Sequence, residues 1–147
     1  MLALVGGCGR GPRPQVYVPA GPAVVEVVEH DYGYALDRRG GIPTGRVVFR
    51  MVSRSGLSHD LSLVALPEDL PPIVEQLRSP ERRAVTTLVR LQSHPAGSTD
   101  AFAVDLAAGR YALLCFEVDG DGETHAVKGM AMELRVGPVP GQPGAGP

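Results

Sequence analysis

"GRYALLCFEVDGDGETHAVKGMAMELRV", residues 109–136, consists of two strand patterns on either side of a polar loop. Apolar residues alternate with other residues on the way to Cys115, and they alternate again from Met132 onward, as expected of half-buried strands. The loop between them is rich in Gly and Asp, and His125 and Met130 follow it. A thiol, an imidazole and a thioether are therefore predicted to lie together between two neighbouring strands.

The same alternation is present in the residues that precede this stretch. Residues 23–36 suit one or two strands, and residues 45–55, 59–67 and 100–108 suit one each, with Gly- and Pro-containing turns between them. The residues predicted to face the core are Val47, Phe49 and Met51, then Leu61, Leu63 and Ala65, and finally Met132, Leu134 and Val136. Helical spacing appears only near residues 72–78, which predicts one short helix outside the sandwich. About seven short strands with one helix in a crossover predict an all-β fold, a Greek-key β-sandwich.

Length and charge limit the domain organisation and the partners. The 147 residues are enough for one domain with its own core. We divide the chain into an N-terminal segment at 1–22, a domain at 23–137 and a disordered tail at 138–147. The net charge is -2 and the charges are interspersed, so no surface for nucleic acid is indicated. We expect a monomer.

A cysteine closes the short apolar run that opens the chain. Val5-Gly6-Gly7-Cys8 resembles the lipobox of bacterial lipoproteins, which implies that Cys8 becomes a lipidated first residue followed by a tether. The protein would then lie outside the cytoplasm, in the periplasm or at the cell surface, attached to a membrane by its lipid. The alternative is a cytoplasmic N-terminus with an incidental cysteine, since the apolar run is short for a signal peptide and no basic residue precedes it.

Four side chains match the ligand set of a type 1 copper site. Such a site uses a thiolate and two imidazoles in one plane, with a weak thioether on the axis, and the chain supplies His59, Cys115, His125 and Met130. His59 begins the strand pattern at 59–67, and a sandwich can bring that end beside the loop after Cys115. Zinc is a weaker candidate, because a thioether is a poor zinc donor.

Each of these residues also has an ordinary interpretation. A histidine taken alone is more often at the surface, and a cysteine or methionine is often part of the core. A disulfide between Cys8 and Cys115 is disfavoured, because it would fasten a flexible tail to a core strand. His30 and His94 fit no ligand pattern and are predicted to face solvent. No nucleophile motif or oxyanion hole accompanies Cys115, so we do not expect an enzyme.

The motifs around the four candidate ligands resemble those of the cupredoxins, the blue copper proteins. Gly56-Leu57-Ser58-His59-Asp60 is similar to the family's Gly-x-x-His-Asn turn, Gly109–Cys115 to its Gly-x-Tyr-x-x-x-Cys strand, and His125–Met130 to its His-x-x-x-Gly-Met ending. The resemblance implies one copper ion, which carries single electrons in transient contact with redox partner proteins. It also implies docking beside His125, where Ala126 and Val127 are candidates for an apolar patch.

Two departures from the family pattern concern the surroundings of the site. Asp60 replaces the family's Asn; its carboxylate can accept hydrogen bonds from the loop after Cys115 but has no amide donor. The nine residues between Cys115 and His125 make a longer loop than in plastocyanin or azurin. Two other functions stay open: a periplasmic copper carrier that delivers the ion, and a metal-free domain that binds a partner.

Overall fold

The structure is a computed structural model that describes residues 21–37 and 41–137. Within these residues lie eight strands and two short helices. The strands are β1 (Ala23–His30), β2 (Gly33–Leu36), β3 (Gly45–Ser53), β4 (His59–Leu66), β5 (Thr86–His94), β6 (Thr99–Leu106), β7 (Gly109–Leu114) and β8 (Ala131–Val136), and the helices are α1 (Ile73–Arg78) and α2 (His125–Lys128). Cys8, nearly all of the predicted tether and the predicted tail lie outside the described residues.

The eight strands form two four-stranded sheets. The strand order is β2-β1-β3-β6 in the first sheet and β5-β4-β7-β8 in the second. β1 and β3 pair in parallel, and the other neighbouring pairs are antiparallel. The chain passes from one sheet to the other after β3, β5 and β6, as in a Greek-key arrangement. The predicted all-β Greek-key sandwich is confirmed.

The inward faces of the two sheets form the core. In β3, Val47 and Phe49 are fully buried and Met51 is 1% exposed, as the alternation predicts. From the second sheet, Leu63 and Leu113 belong to the same cluster of buried residues. Burying a side chain of the size of Phe49 contributes about 1.5–3 kcal/mol relative to leaving it exposed. These contacts hold the two sheets face to face and fix the strand ends that carry the candidate ligands.

Helix α1 covers the outer face of the second sheet. Ile73 and Leu77 pack there in a second buried cluster with Val64 and Leu66 of β4, so both faces of β4 are buried and not only the predicted one. The helix is held at its start because the Ile73 N–H donates to Glu133 of β8 over 2.7 Å. No helix within residues 21–37 and 41–137 is long and apolar enough to cross a membrane.

Strand β5 and His94 differ from the sequence prediction. β5 is an edge strand with mostly exposed residues, and its apolar alternation is limited to Val89 and Leu91, which is too short to identify a strand. The prediction that His94 faces solvent is wrong, because its side chain is buried and its Nε2 lies 2.8 Å from Oε2 of the fully buried Glu29. Glu29 in β1 and His94 in β5 therefore connect the two sheets through a buried polar pair. His30 is exposed, as predicted.

Candidate metal centre

The four predicted ligands lie at one end of the sandwich. β4 and β7 are antiparallel neighbours, with Ser62 opposite Leu114, so the start of β4 and the end of β7 lie at the same edge of the sheet. His59 is the first residue of β4, and Cys115 directly follows β7. His125 begins α2, and Met130 immediately precedes β8. The strand pairing thus brings together residues that are up to 71 positions apart in the sequence.

Three donor atoms converge on one point. The Nδ1 atoms of His59 and His125 lie 3.7 Å and 3.6 Å from the Sγ of Cys115, and 3.2 Å from each other. His59 and Cys115 are fully buried, and His125 is 3% exposed. A thiol and two imidazole nitrogens thus face each other in a space from which the surrounding protein excludes bulk water.

Met130 is joined to Cys115 and His125 through backbone hydrogen bonds. It is fully buried in the same core cluster as Cys115, its N–H donates to the His125 carbonyl over 2.9 Å, and its own carbonyl accepts from the Cys115 N–H over 3.2 Å. The turn before it requires glycine: Gly129 has a φ of 130°, and a Cβ there would lie 3.1 Å from the Tyr32 carbonyl oxygen. The Gly-Met pair of the sequence motif therefore has a structural cause.

The short helix α2, which the sequence did not predict, orients His125. Thr124 caps the helix, its Oγ1 accepting from the Val127 N–H over 3.4 Å. The N–H groups of His125 and Ala126 donate to the carbonyls of Glu117 and Cys115, each over 2.8 Å. The first turn of α2 is thereby fastened to the segment that carries the thiol.

Asp60 and Asp31 fix the segments on either side of the site. Asp60 accepts a hydrogen bond from the Phe116 N–H over 2.6 Å. This bond joins the residue that follows His59 to the residue that follows Cys115. Asp31 accepts from the Ser55 hydroxyl at 2.7 Å and from the Gly56 N–H at 2.9 Å, and so holds the turn before His59. The sequence gives no reason to single out Asp31, because its partners are 24 and 25 positions away.

A polar group of residues covers the outer edge of His125. The Nε2 of His125 lies 3.1 Å from Oδ1 of Asp119, while Oδ2 of Asp119 accepts from the Tyr32 hydroxyl at 2.7 Å and from Lys128 Nζ at 2.6 Å. The hydrogen bond from Lys128, with that from Tyr32, holds the pKa of Asp119 well below its usual range. Ala126 is only 2% exposed, so the predicted apolar surface patch of Ala126 and Val127 is wrong with respect to Ala126.

Burial sets the protonation of the metal-free site. It raises the pKa of the Cys115 thiol to about 12. Burial also lowers the pKa of His59 to about 4, and the neighbouring His125 and His94 act in the same direction. At neutral pH the site without metal therefore holds a neutral thiol and a neutral imidazole at His59. A soft metal ion that binds the thiolate must displace the thiol proton.

The donor set fits one copper ion. Two imidazole nitrogens and a thiolate with a nearby thioether are the ligands of type 1 copper sites. Structural zinc favours four Cys or His donors, and the described residues bring only three such donors together at this site. Cys115 is a free thiol, so its sulfur is available to a metal.

The strand order and connections define the class: this is the cupredoxin fold, as the sequence resemblance implied. Auracyanin from the photosynthetic bacterium Roseiflexus castenholzii superposes with a TM-score of 0.55 at 20% identity, over 82% of this chain and 100% of that one. Auracyanin B gives a TM-score of 0.53 at 22% identity, over 82% of this chain and 94% of that one. Rusticyanin from Thiobacillus ferrooxidans gives a TM-score of 0.50 at 16% identity, over 80% of this chain and 79% of that one. No protein-family model matches the sequence, and no curated protein matches it.

Proposed function

We propose that this protein carries single electrons on one copper ion, which His59, Cys115 and His125 would hold with Met130 as a weak further donor. The observation that supports this most strongly is the convergence of two Nδ1 atoms and one Sγ, all within 4.8 Å of one another in buried positions. Among the structures that share the fold, rusticyanin is described as a copper protein, and the Roseiflexus auracyanin as a dithionite-reduced form.

The surrounding protein holds the ligands in one arrangement. Bound copper would supply the one-electron couple between Cu(I) and Cu(II). The hydrogen bonds from Phe116 to Asp60, and from Ala126 to the Cys115 carbonyl, restrict movement of the thiolate, while α2 and Gly129 position His125 and Met130. Ligands that are held by the fold need little rearrangement when the charge of the site changes, which favours fast electron transfer.

Burial of the ligands favours electron transfer over the delivery of copper. A carrier that hands over its ion must let an incoming ligand reach the metal, but the side chain of His125 is only 4% exposed and Cys115 is fully buried. Electrons need no such opening. The same burial leaves the Cys115 sulfur without a surface that a substrate could reach, so we propose an electron carrier and not an enzyme.

Electrochemistry with metal analysis tests this function. The copper-loaded protein should give a reversible one-electron wave and should retain its copper after repeated cycles and gel filtration against a Cu(I) chelator. Rapid loss of the ion to the chelator in the reduced state, with no reversible wave, would support the copper carrier instead. Absence of copper binding would support the metal-free partner-binding domain.

We propose that redox partners dock over His125, at a shallow depression lined by Leu57, Glu117, Val118 and Asp119. Val118 is 60% exposed, and the acidic Glu117 and Asp119 line the same depression, so a partner with an apolar centre and basic residues beside it fits this surface. Cationic inorganic oxidants should therefore react faster than anionic ones of similar potential. Equal rates at low salt would contradict this docking surface.

We also propose that the protein works outside the cytoplasm as a monomer and that lipid on Cys8 holds it at a membrane. The support is the sequence Val5-Gly6-Gly7-Cys8. In a bacterial host, the wild-type protein expressed from its full gene should fractionate with membranes, and Cys8→Ser should not. A wild-type protein found in the soluble cytoplasmic fraction would contradict the lipid anchor.

A further inference from the structure

The long loop between Cys115 and His125 folds back so that one of its side chains contacts His125. Within this loop the Asp119 N–H donates to the Glu123 carbonyl, and the Gly122 N–H donates to the Asp119 carbonyl, each over 2.9 Å. This tight turn directs the Asp119 carboxylate to the outer edge of His125, where Oδ1 lies 3.1 Å from Nε2. A carboxylate at neutral pH only accepts hydrogen bonds, so Nε2 must carry the proton. The opposite nitrogen, Nδ1, then keeps its lone pair toward Cys115.

The other oxygen of Asp119 is held by two donors. Oδ2 accepts from Tyr32 at 2.7 Å and from Lys128 at 2.6 Å, so the carboxylate is fixed from both sides. The ring of Tyr32 also packs edge-on against the His125 ring, with centroids 5.3 Å apart and planes at 88°. Lys128 lies over the Tyr32 ring at 5.4 Å. The imidazole therefore meets a carboxylate that cannot easily turn away.

We propose that Asp119 is a positioning residue for His125, which fixes the Nε2–H tautomer, strengthens Nδ1 as a donor and so lowers the reduction potential of the site. This rests on the proposed function. A carboxylate that accepts the second N–H of a histidine ligand orients the ring and raises its basicity. A stronger nitrogen donor stabilises Cu(II) more than Cu(I). This preferential stabilisation of the oxidised form lowers the reduction potential.

The alternative is that Asp119 only closes the loop through its ion pair with Lys128. Asp121 offers a matched control, because it accepts from the same Lys128 Nζ at 2.6 Å but is not among the partners of His125. Asp119→Asn and Asp121→Asn each remove one negative charge and one contact to Lys128. Only the first changes the group that faces the imidazole.

The first measurement uses the metal-free protein and NMR of the histidine ring. In wild type the Nε2–H proton of His125 should appear as a protected downfield resonance, since a hydrogen bond to a carboxylate is stronger than one to a neutral amide. It should move upfield or vanish in Asp119→Asn and stay unchanged in Asp121→Asn. An identical resonance in all three proteins would overturn the proposed contact.

The second measurement is the reduction potential of the copper-loaded proteins. Asp119→Asn should have a higher potential than wild type, and Asp121→Asn should remain close to wild type. Equal shifts in the two variants would show a general charge effect and would overturn the role of Asp119, as would no shift in either. These outcomes differ from failure of the proposed function, in which wild type itself would not take up copper although the NMR contact was present.

Discussion

Copper uptake should release the proton of Cys115, and the copper affinity should therefore depend on pH. Burial raises the pKa of this thiol to about 12. Ionising it at pH 7 without a metal then costs about 7 kcal/mol, which is five pH units at about 1.36 kcal/mol each. Bound copper must offset this cost, and one proton leaves for each ion that binds.

The size of the change in copper affinity with pH follows directly from this exchange of one proton for one ion. When binding displaces one proton, the apparent association constant rises about tenfold for each pH unit. Between about pH 7.5 and about pH 9 the affinity should increase about 30-fold. This range lies above the ordinary titration of imidazole, at about 6.5. His59, with a pKa of about 4, contributes nothing there.

The assay is anaerobic competition for Cu(I) with a chelator whose own pH dependence is known. Cys8 should be replaced by Ser in every protein compared, so that Cys115 is the one thiol. Met130→Leu serves as a control that should weaken binding while keeping the slope, because it retains the thiol. Cys115→Ser should lose most of the affinity and the slope together. A wild-type affinity that does not change with pH over this range would refute the assignment of Cys115 as a thiolate ligand.

Two further results are expected. Met130→Leu should raise the reduction potential, because losing a donor destabilises Cu(II) more than Cu(I), and Met130→Gln should lower it, because a harder oxygen donor favours Cu(II). Redox titrations in which both variants match wild type would remove Met130 from the site. Burial lowers the pKa of His94, but the hydrogen bond and charge of Glu29 outweigh it and raise the pKa above its ordinary value. The contribution of His94 to the free energy of unfolding should thus be complete below about pH 6.5 and decrease as the pH rises through its folded-state pKa. Denaturation curves of wild type and Glu29→Gln with the same dependence on pH above about 6.5 would contradict this.

The strands and the convergence of His59, Cys115 and His125 were predictable because local patterns carry them. Alternation identifies strands such as β3 and β8, since each has one buried face. The ligand motifs carry their own spacing: Gly129 is required at its turn, and Cys115 follows a strand whose neighbour in the sheet begins with His59. Strand pairing then places them together without further information.

The parts that the sequence did not reveal depend on contacts between distant residues. β5 is an exposed edge strand with only a short apolar alternation. The burial of His94 follows from its pairing opposite His59. One signal was available, because Glu29 lies on the same face of β1 as the buried Val25 and Val27. That position predicts a buried carboxylate, which needs a partner. Nothing comparable indicates Asp119, because a loop has no periodicity from which the direction of a side chain could be inferred.

The most direct test of the copper site is titration of the metal-free protein with Cu(II), followed by visible spectroscopy, for wild type and Cys115→Ser. The wild-type protein should develop an intense blue or green band that saturates at one equivalent, because thiolate bonding to Cu(II) produces such colour. Cys115→Ser should remain pale while keeping its fold by circular dichroism. A wild-type protein that stays pale at saturation, or a Cys115→Ser variant with the same intense band, would contradict a type 1 copper site in this protein.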